Sequence, residues 1–406
     1  MNEYLKQLRP MFDKEELLKT LEVRPQINRD LVNRSEKLSA LLEIYKTFIP
    51  NQEAVEIYYQ LYLMLMSSLE KKDSLDQIRR LNENYKVIKG SKRYGIIGGL
   101  ESYRITGQAG TGKSSTIQRC AEIITASKVI RLEKPHREVI PILIVECVAD
   151  GSFKSLLYSI LQSVDEILET SYFTANKHDT TTVDSLLSVV SSVLINHVAL
   201  LVIDECERVA NSSKRGELLV NYLTQLVNQS NIPICFVGNE SCNAYFENKE
   251  YLARRTTGLS IKKMSYDERF YNFVKQLFSY QVVENKIEVS SELTRLLYTL
   301  SDGLPSMLVA LFVEAQKEAI ISGDEKVSEE SLKRIFSERF TNMIPHLQHR
   351  KVAALPNVKE MVKTWPNISK VNDRLVFKEL SMIAKKDLEV FTQLLQKVIA
   401  VELVEI

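Results

Sequence analysis

The sequence has few cysteines, no excess of charge of either sign and no long hydrophobic run. Its five cysteines form no CxxC pair and most lie in apolar runs, so we expect buried thiols in a reducing compartment. The formal net charge is +1, so global charge argues neither for nor against a nucleic-acid partner, and any basic surface must be local. The longest apolar stretch, IYYQLYLMLM, is far short of the ~20 residues that span a bilayer, so no membrane association is expected.

Two further absences narrow the function classes. The HLQH stretch could place His346 and His349 on one helix face, but no cysteine or carboxylate cluster accompanies them, so no metal site is expected there. The N-terminal stretch MNEYLKQLRP is polar and charged, which is unlike a signal peptide. We therefore expect a cytoplasmic protein.

The hydrophobic pattern changes along the chain, and its 406 residues are enough for two or three domains. Residues 1–90 have the apolar spacing of helices and predict a helical N-terminal extension. Within 91–260, short β-branched runs alternate with amphipathic helices, which predicts an α/β fold with a doubly wound parallel sheet. Residues 261–344 return to helices, and 345–406 form a basic tail with one last helix.

The stretch GQAGTGKS fits the phosphate-binding pattern G-x-x-x-x-G-K-[ST]. Its glycines let backbone N–H groups point at phosphate oxygens, and the helix KSSTIQRCAEII adds the positive end of its dipole. The pattern predicts ATP and Mg²⁺ as cofactors: Lys113 would reach the β- and γ-phosphates, and the Ser114 hydroxyl would ligate Mg²⁺. A chance Gly-rich turn is the alternative, which the strand before the motif and the helix after it disfavour. The expected ATP-binding residues are Gly107, Gln108, Ala109, Gly110, Thr111, Gly112, Lys113, Ser114 and Ser115.

The buried-strand pattern VALLVIDE ends in two carboxylates, Asp204 and Glu205. Carboxylates at the end of such a strand are costly unless they are paired or metal-bound. Asp204 is therefore predicted to hold Mg²⁺, and Glu205 to orient and deprotonate the attacking water. A GTPase switch would not normally place a second acid here, so the pair favours ATP hydrolysis. The alternative is an acidic helix cap.

Two later stretches complete the candidate catalytic set. Asn239 ends the buried strand IPICFVGN, where its side chain could touch the γ-phosphate or the water; the alternative is a turn residue. Arg254 and Arg255 in YLARRTTG suit an arginine finger that reaches a neighbouring subunit's ATP, because a fixed guanidinium offsets transition-state charge. Arg254 is the preferred candidate, and a solvated basic turn is the alternative.

The order of these features, followed by a helical domain, resembles the AAA+ layout. The blocks VECVADGSFKSLLYSILQSVD, LLVIDECERV, LVNQSNIPICFVGNES, YLARRTTGLSIKKMSYDERFYNFVKQLFSYQ and LLYTLSDGLPSMLVALFVEAQKEAIISGDEKVS together resemble the TnsC/TniB family. These proteins are the AAA+ ATPase regulators of Tn7-like transposons. The resemblance covers about residues 91–340 and rests on several ordered blocks, so it is more specific than the P-loop alone.

The resemblance implies an AAA+ P-loop NTPase domain, a helical lid domain and a regulatory switch. Members of the family assemble with ATP on duplex DNA as rings or helical filaments, link a target-selection protein or complex to transposase subunits, and disassemble on slow hydrolysis. Lys154 and Thr182 fall where family members touch the phosphate backbone. The alternatives are a solvated lysine for Lys154 and a helix N-cap for Thr182, and the cap is compatible with a DNA contact.

The chain also departs from the AAA+ pattern. The lid stretch SDGLPSMLV offers no arginine, so lid closure is expected to be sensed in another way or weakly. Residues 1–90 and 345–406 lie outside the matched core, and in this family such extensions tend to engage partner proteins. A DNA-independent AAA+ ATPase of a secretion, defence or signalling system is the competing function. A replication-initiator ATPase would predict a winged helix, which the tail does not resemble.

Overall fold

The structure, a computed structural model, describes residues 2–27, 33–86, 102–133, 136–148, 152–178, 180–210, 222–223, 225–227, 229–230, 232–243 and 256–343. Its helices are α1 (Lys14–Leu21), α2 (Arg34–Ile44), α3 (Gln52–Lys86), α4 (Lys113–Ile124), α5 (Phe153–Leu168), α6 (Tyr172–Asn176), α7 (Val183–His197), α8 (Glu207–Ala210), α9 (Glu268–Phe278), α10 (Ser291–Ser301), α11 (Pro305–Ser322) and α12 (Glu329–Arg339). Its strands are β1 (Ser102–Gly107), β2 (Ile130–Leu132), β3 (Arg137–Glu146), β4 (Val198–Asp204), β5 (Ile234–Gly238) and β6 (Thr256–Ile261). Short 3₁₀ turns cover Leu5–Gln7, Glu240–Cys242 and Thr341–Met343.

The described strands form one sheet in the order β2-β3-β4-β5-β1-β6. Neighbouring strands are parallel except β2, which runs antiparallel to β3. The predicted α/β fold with a doubly wound parallel sheet is confirmed, and the structure adds β2 and β6, which the apolar runs did not indicate. Most residues of β6 are exposed or half-buried, as expected of a strand at the sheet edge.

The sheet order places β5 between the P-loop strand β1 and the acidic strand β4. In the register, Thr106 of β1 pairs with Gly238 of β5, and Glu146 of β3 pairs with Asp204 of β4. The carboxyl ends of these parallel strands therefore meet at one edge of the sheet. Ligands of open α/β sheets bind in the crevice outside this edge.

Each face of the sheet carries a hydrophobic core. On one face, α5 and α7 pack against β3, β4 and β5. On the other, α1, α3 and α4 pack against β1, β4 and β5. The apolar stripe IYYQLYLMLM belongs to α3, and its fully buried Leu61 and Leu65 each contribute about 1.5–3 kcal/mol by leaving water.

A third core holds the helical lid and part of the N-terminal region together. Leu41 and Ile44 of α2 lie in one cluster with buried side chains of the four lid helices α9 to α12. The expected N-terminal extension is therefore helical, but in its described residues it packs into cores shared with the sheet and the lid. Met1–Phe340 form one compact unit, and Thr341–Ile406 form a second, of which the structure describes Thr341–Met343.

Local signals explain where several helices begin. The side chains of Ser152, Thr182, Asp267, Ser290 and Ser328 each accept a hydrogen bond from a backbone N–H of the helix that follows. Such caps contribute about 1 kcal/mol each.

In the described part of the chain, no single helix is both long and apolar enough to cross a bilayer. The helices α10 and α11 reach that length and hydropathy only together, and the angle between them is 114°.

Candidate functional site

The P-loop connects β1 to α4, as the sequence motif predicts. Gly110 (φ 84°) and Gly112 (φ 90°) have left-handed backbone conformations, which cost a residue with a Cβ atom about 1–2 kcal/mol. Gly112 is the N-cap residue of α4, and no side-chain cap bond is present at this described helix start. The first N–H groups of α4 therefore suit an anion, because a helix N-terminus lacks internal partners for them.

Lys113, the first residue of α4, turns back into the loop. Its Nζ donates hydrogen bonds to the carbonyl oxygens of Gly107 (2.8 Å) and Gln108 (3.1 Å). Burial lowers the pKa of Lys113, while the charges of Glu207, Asp204 and Glu205 act in the opposite direction. The ammonium group thus lies where the P-loop faces the acidic end of β4.

Ser114 and Ser115 are exposed at the start of α4, and Asp204 is buried at the end of β4. Asp204 Oδ1 accepts a hydrogen bond from the backbone N of Glu205 (2.8 Å). One hydroxyl and one carboxylate fit Mg²⁺ bound to a nucleotide, because this ion takes one or two protein carboxylates and keeps phosphates and water as other ligands. Within the described residues, no group of three or more His, Cys, Asp or Glu side chains could hold a metal ion by itself.

Glu205 directly follows β4 in a strained conformation. Its φ of 56° lies in the left-handed region, which non-glycine residues adopt mainly where surrounding structure forces it and which is common at functional sites. Burial raises the pKa of Glu205, and so do the charge and hydrogen bond of Glu207, whereas Arg208 lowers it. The Arg208 guanidinium lies 3.6 Å from Glu205 Oε2 and donates to the Cys147 carbonyl oxygen (2.9 Å).

Asn239 lies directly after β5, between the P-loop and the acidic strand end. Its Oδ1 accepts a hydrogen bond from the backbone N of Ser241 (2.9 Å), so it caps the turn Glu240–Cys242. This is the turn role that the sequence left open. Because Oδ1 already accepts the capping bond, Asn239 would donate a hydrogen bond to a phosphate oxygen from its Nδ2. Arg254 and Arg255, like His346 and His349, lie outside the described residues.

Glu207 was not predicted from the sequence, although it faces the same site. Its Oε2 accepts a hydrogen bond from the backbone N of Asn239 (3.1 Å). An acidic residue in the first turn of a helix is ordinary, so its sequence position carried no signal.

Three cysteines follow the strands β3, β4 and β5 in the sequence, close to the ends of these strands. Cys147 and Cys242 are buried, Cys206 is half-buried, and all are free thiols, as expected from the sequence. Burial raises the pKa of Cys242 to about 12, and a hydrogen bond with Cys147 together with burial raises that of Cys206. Thiols with such pKa values stay protonated near neutral pH and act here as packing groups.

The lid contacts the P-loop through the first turn of α11. The backbone N of Ser306 donates to the carbonyl oxygen of Gly110 (3.3 Å). A Cβ atom on Gly110 would lie 2.2 Å from Ser306 Oγ. Although this lid stretch has no arginine, as read from the sequence, it reaches the nucleotide-binding loop directly.

Lys154 and Thr182 lie at the N-termini of α5 and α7, which pack against each other. Because α5 follows β3 and α7 leads directly into β4, both N-termini lie at the carboxyl edge of the sheet. Thr182 is exposed and caps α7 by accepting from the backbone N of Ser185 (3.2 Å).

A second lysine, which the sequence did not single out, joins this surface. Lys154 Nζ lies 5.8 Å from the ring centroid of Tyr158, and Lys177 Nζ lies 4.9 Å from that of Phe173. The two rings contact each other edge to face, with centroids 5.7 Å apart. The lysine–aromatic patch, defined as Lys154, Tyr158, Phe173 and Lys177, therefore has two ammonium groups that each lie over one ring of a contacting aromatic pair.

Comparison with known proteins gives one family match and several distant structural ones. A family model described as an AAA domain matches residues 101–246. The Aeropyrum pernix Orc1 protein in complex with DNA aligns at 16% identity over 65% of this chain and 64% of that chain, with a TM-score of 0.42. Cdc6p from Pyrobaculum aerophilum aligns at 12% identity over 63% and 64%, with a TM-score of 0.39. Domain III of the Thermotoga maritima replication initiation protein DnaA aligns at 12% identity over 58% and 83%, with a TM-score of 0.35. The alignment thus spans slightly less than two thirds of the Orc1 and Cdc6p chains, and no curated protein matches the sequence.

The matched range begins just before β1 and extends past Asn239. It contains the P-loop, the acids after β4 and the polar end of β5, and its sheet has β5 between β1 and β4. Residues 101–246 of this chain therefore form an AAA domain with the AAA+ P-loop fold.

Proposed function

We propose that this chain is a Mg²⁺-dependent ATPase that regulates transposition: it assembles as a homo-oligomer on duplex DNA and links a target-selection protein or complex to transposase subunits. The observation that carries the ATPase part is the placement of the P-loop with Lys113 and of the acids Asp204 and Glu205 at the same carboxyl edge of the sheet. The transposition part is supported by the sequence resemblance to the TnsC/TniB family.

In this proposal each group at the sheet edge has one task. The P-loop N–H groups and Lys113 bind the phosphates, and Ser114 and Asp204 hold Mg²⁺, which would offset charge on the transferred phosphoryl group. Glu205 takes a proton from the attacking water, because it is the carboxylate next to the metal-binding acid. Asn239 orients the water or the γ-phosphate, and Arg254 or Arg255 would act from a neighbouring subunit.

The proposed DNA contact uses the lysine–aromatic patch and Thr182. Cations held over aromatic rings have fewer accessible side-chain conformations, so they lose less entropy on binding phosphates. A hydroxyl and a helix N-terminus also bind phosphate without reading bases. A chain with a net charge of +1 can bind DNA in this way because an oligomer sums two lysine contacts from every subunit.

Electron microscopy tests the assembly directly. The protein would be mixed with duplex DNA and a non-hydrolysable ATP analogue, and compared with the same mixture without nucleotide. Rings or filaments threaded on DNA only with the analogue support the proposal. Nucleotide-dependent rings that are indifferent to DNA contradict it and support the DNA-independent ATPase instead.

Charge reversal tests the DNA surface. Lys154→Glu and Lys177→Glu should weaken binding to all duplex sequences alike, and together lower the slope of log affinity against log salt by about 2 per bound subunit. The matched control is Lys128→Glu, because Lys128 is exposed in the loop between α4 and β2, at the opposite edge of the sheet. A loss confined to some DNA sequences would contradict the backbone-contact model.

A further inference from the structure

The side chain of Glu207 contacts the end of the neighbouring strand β5. It is the first residue of α8 and follows the strained residue Glu205 by two positions. The residue is half-buried and its carboxylate reaches the end of β5, where Oε2 accepts from the backbone N of Asn239 at 3.1 Å. The end of β4 and the end of β5 are therefore joined by a side-chain bond in addition to the sheet ladder.

Gly238 shows how closely the carboxylate packs on this strand end. A Cβ atom at position 238 would lie 2.7 Å from Glu207 Oε2 and 2.6 Å from Cys242 Sγ. Real Cβ atoms essentially never lie within 3.0 Å of such a non-bonded atom, so an added Cβ would force these side chains to move. A glycine at this position thus permits the approach of Glu207 to the backbone of Asn239.

The same carboxylate also faces the two candidate catalytic groups. Burial lowers the pKa of Lys113 and raises that of Glu205, and the negative charge of Glu207 raises the pKa of both. Glu207 stands in the same turn as Glu205, where the backbone N of Arg208 donates to the Glu205 carbonyl oxygen (3.0 Å). One side chain thus touches the strand end that carries Asn239 and lies beside the base and the P-loop lysine.

We propose that Glu207 is a positioning residue of the hydrolytic centre, which fixes the turn that carries Glu205 and the backbone at Asn239 relative to each other across the β4–β5 boundary. The proposal rests on the ATPase function proposed above. Glu207 acts in it as the acceptor for the Asn239 backbone N–H, and no proton passes through it. Because α8 follows Glu205 so closely, a displacement of this turn would move the base and the Asn239 backbone together.

Two substitutions distinguish the role of the accepting oxygen of Glu207 from that of its charge. Glu207→Gln keeps an oxygen that can accept from Asn239 N, whereas Glu207→Ala removes it. The control is Glu240→Ala, because Glu240 is exposed at the same edge, next to Asn239. Steady-state ATP hydrolysis gives kcat and KM, a fluorescent ATP analogue gives the nucleotide Kd, and thermal unfolding gives Tm.

We expect Glu207→Ala to lower kcat by about 10–100-fold with Kd changed by less than about threefold, because misplaced catalytic groups slow the reaction more than they weaken ground-state binding. Glu207→Gln should recover most of the lost kcat, and Glu240→Ala should leave it unchanged. A wild-type kcat in Glu207→Ala overturns the proposal, as does a loss in Glu207→Gln as large as in Glu207→Ala. Parallel losses of kcat, nucleotide binding and Tm indicate a merely structural role and overturn it too.

The wild-type chain distinguishes the two levels of failure. If it binds ATP but does not hydrolyse it, the ATPase function itself is wrong and the role of Glu207 falls with it. If it hydrolyses ATP and the Glu207 variants do so equally well, only the positioning role is wrong.

Discussion

Replacing Lys37 tests whether the N-terminal helices hold the lid in place. Lys37 of α2 is only 4% exposed, and its Nζ lies 3.0 Å from Glu325 Oε1 and 3.1 Å from Glu284 Oε1. Both glutamates belong to the lid region, so this group, the Lys37 clamp, joins α2 to the lid. The substitution Lys37→Met keeps the apolar stem and removes the charge.

The expected loss of stability in Lys37→Met depends on how exposed Glu325 and Glu284 are. Removing one partner of a fully buried ion pair costs about 3–5 kcal/mol, and removing an exposed pair costs about 0–1 kcal/mol. The Glu325 side chain is 17% exposed and that of Glu284 is 70% exposed. Without Lys37, the Glu325 carboxylate would therefore remain nearly buried and unpaired, whereas the Glu284 carboxylate would be hydrated. We therefore expect Lys37→Met to destabilise the protein by about 2–3 kcal/mol.

The pH dependence of the clamp has a defined sign. Burial lowers the pKa of Lys37, but the hydrogen bonds and charges of Glu325 and Glu284 outweigh it, so the pKa is raised. A raised folded-state pKa contributes stability that is fully present below the lysine's ordinary pKa of about 10.4 and is lost as the pH rises through the higher folded-state value. From neutral pH up to about pH 10, the effect of Lys37→Met should therefore not depend on the charge state of the lysine.

Hydrogen exchange is the appropriate assay, because a chain of this size need not unfold in one step. Amides of α2 and α11 should exchange faster in Lys37→Met, and Lys37→Met with Glu325→Gln should recover about 1–2 kcal/mol relative to the sum of the single changes. Lys46→Met is the matched control, because Lys46 forms a largely exposed pair with Glu43 at the other end of α2. Equal effects of Lys37→Met and Lys46→Met would refute the reasoning.

The nucleotide site gives further predictions. Glu205→Gln should keep ATP binding and trap the assembled state, whereas Lys113→Ala should abolish assembly. Measurements of ATP turnover and electron microscopy check both variants. Normal turnover in Glu205→Gln would show that Glu205 is not the base. Gly112→Ala should weaken ATP binding through backbone strain of about 1–2 kcal/mol alone, because no atom lies within 4 Å of its added Cβ. Gly110→Ala should weaken it more, and Ser306→Gly should recover affinity only in Gly110→Ala, since Ser306 Oγ is the atom in the way.

The sheet and P-loop could be predicted because their sequence signals are local. The strand before GQAGTGKS and the helix after it carry their own apolar patterns, and the structure has β1 and α4 there. The strand β6 was missed because TTGLSI is mostly exposed and has no apolar run. The apolar spacing of residues 1–90 predicted helices, but the stripe in α3 is the same whether it packs on N-terminal helices or on the sheet, so its partner could not be predicted.

The site shows the same division between local and distant signals. Asp204 and Glu205 were predicted because two acids after a buried strand are unusual. Glu207 and Lys177 were missed because their significance depends on partners far away in sequence, Asn239 for the first and the ring pair beneath the lysines for the second. The sequence placed Asn239 at the end of a strand, and the structure has it directly after β5, but its hydrogen bond with Ser241 became visible only in the structure.

The strengths of the lid contacts indicate how the lid would move. At the P-loop, the lid is held by the Ser306–Gly110 bond, a backbone contact of 3.3 Å that contributes about 0.5–1.5 kcal/mol. On the other side, beside the Lys37 clamp, Leu41 and Ile44 of α2 are buried in the lid core, and each contributes about 1.5–3 kcal/mol by leaving water. Because the weaker contact breaks first, we expect the lid to open at the P-loop and to pivot about the clamp.

The N-terminal helices are fixed to the P-loop helix as well. Arg119 of α4 donates to the carbonyl oxygens of Thr20 (2.7 Å) and Leu21 (3.0 Å) at the end of α1. A partner that displaced the N-terminal helices would therefore act on the lid through Lys37 and on α4 through Arg119 at the same time. Binding of such a partner should change nucleotide affinity even if it does not touch the nucleotide, because it would bias contacts on both sides of the P-loop.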